Sequence, residues 1–153
     1  MRWMNSLLAL ALAVIASAVL AHTDEYFDRI DTPHGGQIRM AGPYHLELVV
    51  GDSELTVYVT DHGDNPIGTT GGSAKAIIAS GKKRYVVVLS AAGGNVLKGN
   101  GEFKLGKSNT ISLMVTLPDQ EPQRAKFSID GSGKKSSTAG STPQQHEHHP
   151  HHE

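Results

Sequence analysis

Apolar and polar side chains alternate with a period of two through Tyr44–Val50. Leu46, Leu48 and Val50 fall on one face, and His45 and Glu47 on the other. A run of this kind has one dry face as a strand and none as a helix. Leu55, Val57 and Val59 alternate in the same way with Thr56, Tyr58 and Thr60, and Ile111, Leu113, Val115 and Leu117 form a later inward row. Further strands are predicted at about 74–79, 84–90, 95–99, 101–105, 110–117 and 123–129, with Phe127 and Ile129 closing the pattern. Gly, Asp, Asn and Pro punctuate these runs, and a turn at Gly42-Pro43 would pair the strand before it with the strand after it. Beyond residue 21 no apolar stripe persists at helical spacing for three turns. The expected fold is therefore all-β, an antiparallel β-sandwich, with immunoglobulin-like as the commonest choice and the strand order left open.

The ends of the chain have a different composition. Arg2 and the free amine precede an almost continuous Ala, Leu, Val and Ile run over residues 6–20, which is too short to cross a ~30 Å hydrocarbon layer as a helix. Val19 and Ala21 supply small residues at the −3 and −1 positions of a peptidase site, so residues 1–21 read as a cleaved secretory signal. Without a cysteine there is no lipoprotein anchor. The expected location is periplasmic or secreted, with no membrane span after cleavage. Residues 22–31 form a polar N-terminal segment in which Tyr26, Phe27 and Ile30 can pack on the domain. Residues 32–130 are the β-sandwich domain, about 100 residues and a common size for one domain. Residues 131–153, rich in Gly, Ser, Lys and His, are expected to be a disordered tail.

Several function classes drop out. The absence of cysteine removes disulfides, thiolate zinc centres and thiol nucleophiles together. Formal charge is −1, and loss of Arg2 with the leader makes it −2 (13 basic against 15 acidic), so nucleic acid is not an expected partner. No Gly-x-Ser-x-Gly elbow, His-Glu-x-x-His pair or phosphate-binding glycine loop is present, and the chain does not read as an enzyme. Asp61, Asp64 and Asn65 resemble a weak calcium site, yet Asx residues in a turn usually bond their own backbone.

Histidine is the unusual component: nine in all, five of them in the last eight residues. His146, His148, His149, His151 and His152 on a flexible tether can wrap a borderline ion such as copper or zinc. Interruption by Glu147 and Pro150 argues against an expression tag. A second set lies in the predicted sheet. His45 and Glu47 share the face opposite Leu46 and Leu48, Met40 and His34 approach that face from the neighbouring strand or loop, and His62 follows the next strand. This His, Met and carboxylate set suits copper, or alternatively forms the solvent side of a half-buried sheet. A third candidate is His22. Cleavage after Ala21 would leave its amine and ring free to chelate Cu(II) as a histidine brace, similar to that of copper-dependent polysaccharide monooxygenases.

His34-Gly35-Gly36 followed by Tyr44–Val50 and Leu55-Thr-Val-Tyr-Val-Thr-Asp61 resembles the N-terminal region of periplasmic adaptor subunits of RND-type heavy-metal efflux pumps. It also resembles short secreted single-domain proteins of Gram-negative bacteria. The resemblance covers roughly residues 34–61 and implies a β-domain connected with copper, silver, zinc or cobalt, with a heavy-metal efflux system as partner. The adaptors' coiled-coil, lipoyl and barrel domains are missing, so only the metal association and His34 carry over. The leading expectation is a metal-binding buffer or carrier for copper, zinc or a related divalent ion. An envelope interaction module that binds no metal and a copper redox enzyme using His22 are the alternatives.

Overall fold

A computed structural model describes residues 24–134. It contains eight strands: β1 (Gln37–Ala41), β2 (Tyr44–Val50), β3 (Glu54–Asp61), β4 (Ser73–Ser80), β5 (Lys83–Ala91), β6 (Val96–Asn100), β7 (Ser108–Thr116) and β8 (Gln123–Asp130). All of them pair antiparallel in one sheet of order β1-β2-β3-β6-β5-β4-β7-β8. The mostly antiparallel β expectation is what the structure shows. Two separately packed sheets were expected, but pairing is continuous through a short β5–β6 seam, Ser90 opposite Lys98 and Ala91 opposite Leu97. That seam carries no alternation of its own, which is why the sequence does not announce it.

The sheet curls almost into a barrel. Its two free edges meet where the Gln37 side-chain oxygen accepts the Ser128 backbone N–H at 3.1 Å, so an amide side chain bridges β1 to β8. The inward rows of both halves form one core. Leu46, Leu48, Leu55, Val57, Val59 and Leu97 come from the β1-β2-β3-β6 half, and Ile78, Leu89, Ile111, Leu113, Phe127 and Ile129 from the β5-β4-β7-β8 half. Period-two alternation in β2, β3 and β7 is sufficient to place these side chains, because each has one face turned to the core.

Three local features depart from the sequence reading. Residues 24–29, expected as part of a polar segment from which Tyr26, Phe27 and Ile30 can pack on the domain, form a short helix, α1. A helix this short is not stable alone and is held by what it touches. Phe27 is 7% exposed, and Asp28 accepts from Arg39 Nη1 and Nη2 at 2.9 and 3.2 Å. Asp28 also accepts from Gln37 Nε2 at 3.2 Å, so α1 covers the β1 edge that would otherwise be bare. Residues 101–105, predicted as a strand, carry no ladder because they cross from β6 in one half to β7 in the other. Phe103 is buried in the core on the way. Residues 131–134, assigned above to the tail, form a turn in which one Asp130 carboxylate oxygen accepts from Ser132 N, Ser132 Oγ and Lys134 N. Residues 1–21, expected to be a secretory signal, His22 and the tail histidines 146, 148, 149, 151 and 152 lie outside the described residues.

Candidate functional site

The outer face of β2 and β3 carries the chemistry. By parity His45 and Glu47 point away from the core, opposite Thr60 and Tyr58 on β3, while Ile38 and Met40 of β1 lie opposite Glu47 and His45. Above this face α1 contributes Tyr26 and Phe27, the 30–36 loop contributes His34, and the β3–β4 connection contributes His62 and Asp64. Together they wall a groove of about 460 Å³. All three histidines among the described residues line it, although they come from a loop, a strand and a turn.

Glu47 organises the first part. It is 5% exposed, yet both oxygens are satisfied. Oε1 accepts the backbone N–H of His34 at 2.9 Å and of Gly36 at 3.0 Å, and Oε2 lies 2.7 Å from His34 Nδ1. The His-Gly-Gly motif follows from this geometry. Gly35 has φ +74°, in the left-handed region, and a Cβ on Gly36 would collide with the Leu48 carbonyl. Two glycines let the loop fold down until its amides reach the carboxylate. The His34 ring then lies flat on Tyr58, with centroids 3.5 Å apart and planes 4° from parallel.

The second part is held by the turn after β3. Oδ1 of Asp61 accepts from Gly63 N at 2.7 Å and Asn65 N at 2.9 Å, and the Asn65 side-chain amide reaches both carboxylate oxygens. These bonds, with the Asn65 side chain contributing most, hold the Asp61 carboxyl below its usual range. Asp61 and Asn65 are therefore consumed by the turn itself, as Asx residues usually are, and not offered to calcium. The turn presents His62 and Asp64. His62 stacks on His45 with centroids 5.0 Å apart and planes at 24°, and Phe27 meets the His45 ring edge-on at 4.9 Å. His45 Nδ1 lies 3.2 Å from Asp64 Oδ1, and His62 Nε2 lies 3.0 Å from the Gly42 carbonyl.

These partners fix the tautomers of the neutral rings. A carbonyl and an ionised carboxylate only accept, so the protons sit on Nδ1 of His34, Nδ1 of His45 and Nε2 of His62. The lone pairs are then on His34 Nε2, His45 Nε2 and His62 Nδ1. A ring with its N–H held by an oxygen and its other nitrogen bare is the usual state of a metal-ligating histidine. Glu47, expected as a ligand, is instead the partner that orients His34. Met40 stands opposite His45 but is not among the residues lining the groove. Among the described residues no three His, Asp or Glu side chains form a ready group that could hold a metal ion. His45 and His62 are the two histidines of this donor set in ring contact, and neutral imidazoles without thiolate suit copper or zinc over magnesium or calcium.

The opposite half of the sheet was not singled out in the sequence. From residue 24 to 72 there are nine acidic and two basic side chains, net −7; from 73 to 134 there are ten basic and four acidic, net +6. The two stretches, which match the halves of the sheet except for β6 and its Lys98, nearly cancel, so the net charge conceals them. Among the described residues the ion pairs join α1, the 30–36 loop, the β3–β4 turn and strands β1, β2, β3 and β6. Comparison with family models, with curated proteins and with solved structures returns no match for this chain.

Proposed function

We propose that this protein is a metal-binding protein of the cell envelope that buffers or carries copper, zinc or a related divalent ion. The observation that carries the reading is the convergence of His34, His45 and His62 in one groove, each with its N–H tied to an oxygen and its lone pair unspent. Capture would start at His45 and His62, which need an exogenous or tail-borne ligand to complete a coordination shell. His146, His148, His149, His151 and His152 would raise the capacity of the chain, because a tethered ligand acts at high effective concentration. The metal is cargo here and no reaction is required of the site. Residues 1–21 as a cleaved signal, a periplasmic or secreted location, a link to a heavy-metal efflux system, and an immunoglobulin-like reading in which the two halves of the curled sheet act as layers belong to the same proposal.

The test is calorimetric titration of Cu(II) and of Zn(II) into residues 22–153, residues 22–134, and residues 22–134 carrying His45→Ala and His62→Ala. The reading predicts most sites in the longest chain, one retained in residues 22–134, and at least about tenfold weaker binding in the double variant. Residues 22–134 that bind neither ion, or bind equally without His45 and His62, would remove the groove from the account. Among the described residues no helix is long and apolar enough to cross a membrane.

A further inference from the structure

The outer face of β5-β4-β7-β8 presents three cross-strand rows. Val86, Ile77, Ser112 and Lys126 form one; Val88, Lys75, Met114 and Arg124 the next; Arg84, Ala79, Thr110 and Ser128 the third. Val86 is 58% exposed, Val88 63% and Ile77 37%, so the aliphatic centre of the face is open to solvent. Four cations stand among these rows, and Lys82 and Lys83 at the β4–β5 turn add two more. No carboxylate occupies any of the twelve positions. Among the described residues none of the six cations is in an ion pair. A shallow groove of about 480 Å³ runs between Lys75, Ile77, Met114, Arg124 and Lys126.

The geometry points to this face as a docking surface for a membrane that carries anionic lipid. An apolar patch open on a folded domain marks a contact surface, and a cluster of four to eight Lys and Arg beside it is the charge pattern that anionic headgroups attract. The composition separates lipid from a protein partner. Protein interfaces are depleted in lysine, whereas four of this face's six cations are lysine. Charge segregation orients the approach. The anionic half repels the same headgroups, so the cationic half faces the lipid and the histidine groove faces away. This inference does not depend on metal binding.

The test is sedimentation of residues 22–153 with vesicles at pH 8. Residues 1–21 are left out because their apolar run would itself seek lipid; every strand and the whole core remain. The chain should pellet with vesicles of about one-third phosphatidylglycerol in phosphatidylcholine and stay in solution with phosphatidylcholine alone. Raising salt to about 1 M, where the Debye length is near 3 Å, should release it. Lys75→Glu with Arg124→Glu should weaken partitioning at least about tenfold. Val86→Ser with Val88→Ser, a second pair on exposed positions, should weaken it severalfold without changing the salt dependence. Arg29→Glu, an equally exposed cation on α1, should leave it unchanged. Binding to neutral vesicles as strong as to anionic ones would overturn the assignment, as would no binding to either. An equal loss with Arg29→Glu, or capture by polyglutamate without capture by vesicles, would also overturn it.

Discussion

The two outer faces of this sheet rest on one core and have opposite characters. Over β1, β2 and β3 the face is roofed by α1, Asp28, Glu47 and Asp64 are each paired, and each of its three histidines has one ring nitrogen held by an oxygen. Over β5, β4, β7 and β8 the face is bare, aliphatic and cationic, with no partner for its charges among the described residues. The inward rows are apolar on both sides: Leu and Val with Ala41 and Tyr44 over one half, and Ile, Leu, Val and Ala with Phe127 over the other. Identity therefore lies in the outward rows, where every second residue is free to vary without disturbing the core.

The shared core gives the largest expected effect. Phe127→Ala empties a fully buried site contributed by the bare half, and should cost about 4 kcal/mol in urea unfolding. If the halves are one cooperative unit, the same transition must appear in the ring proton resonances of Tyr58, which report the histidine face. Glu47→Ala comes next. It leaves the amides of His34 and Gly36 and the His34 ring without their acceptor, so about 2–3 kcal/mol should be lost, with no change in vesicle binding.

Acid titration separates the faces more finely. Asp61 has its folded carboxyl below the ordinary value near 3.8, so its stabilisation is present above that value and is lost as pH falls through the lower folded one. Asp130 has the same sign, its carboxylate held chiefly by the Ser132 side chain. Asp24 has the opposite sign, because burial raises it more than Arg39 lowers it, and the stabilisation tied to its protonated form fades as pH rises through the raised value. Melting followed from pH 5 down to about 2 should therefore fall less steeply in Asp61→Asn than in the parent. The smallest effect is expected of Arg29→Ala. Its contact with Glu25 is 4.0 Å long and exposed, so stability should move by no more than about 0.5 kcal/mol.

Much of the fold was legible because alternation is a local signal. β2, β3, β4, β5, β6, β7 and β8 lie within a residue or two of the predicted strands, and β1 follows from the Gly42-Pro43 turn. What escaped was non-local. The helix α1 has only Phe27 as a buried anchor and shows no stripe, and the 101–105 crossing alternates like a strand but has no neighbour. Of the site, the grouping of His34, His45, Glu47 and His62 could be read from parity and turn position. The role of Glu47 could not, because it depends on amides brought down by Gly35 and Gly36. The cationic face was invisible for a simpler reason: Lys75, Arg84, Arg124 and Lys126 are scattered in sequence and become neighbours only through the β5-β4-β7-β8 pairing.

The histidine groove as a metal trap is tested most directly at the ring nitrogens. Long-range proton–nitrogen spectra of residues 22–134 should show the protons on Nδ1 of His34 and His45 and on Nε2 of His62. Added Zn(II) should then shift His45 Nε2 and His62 Nδ1 together and to saturation. Ring nitrogens that stay in place under excess zinc, or that move only at the protonated positions, would contradict the account.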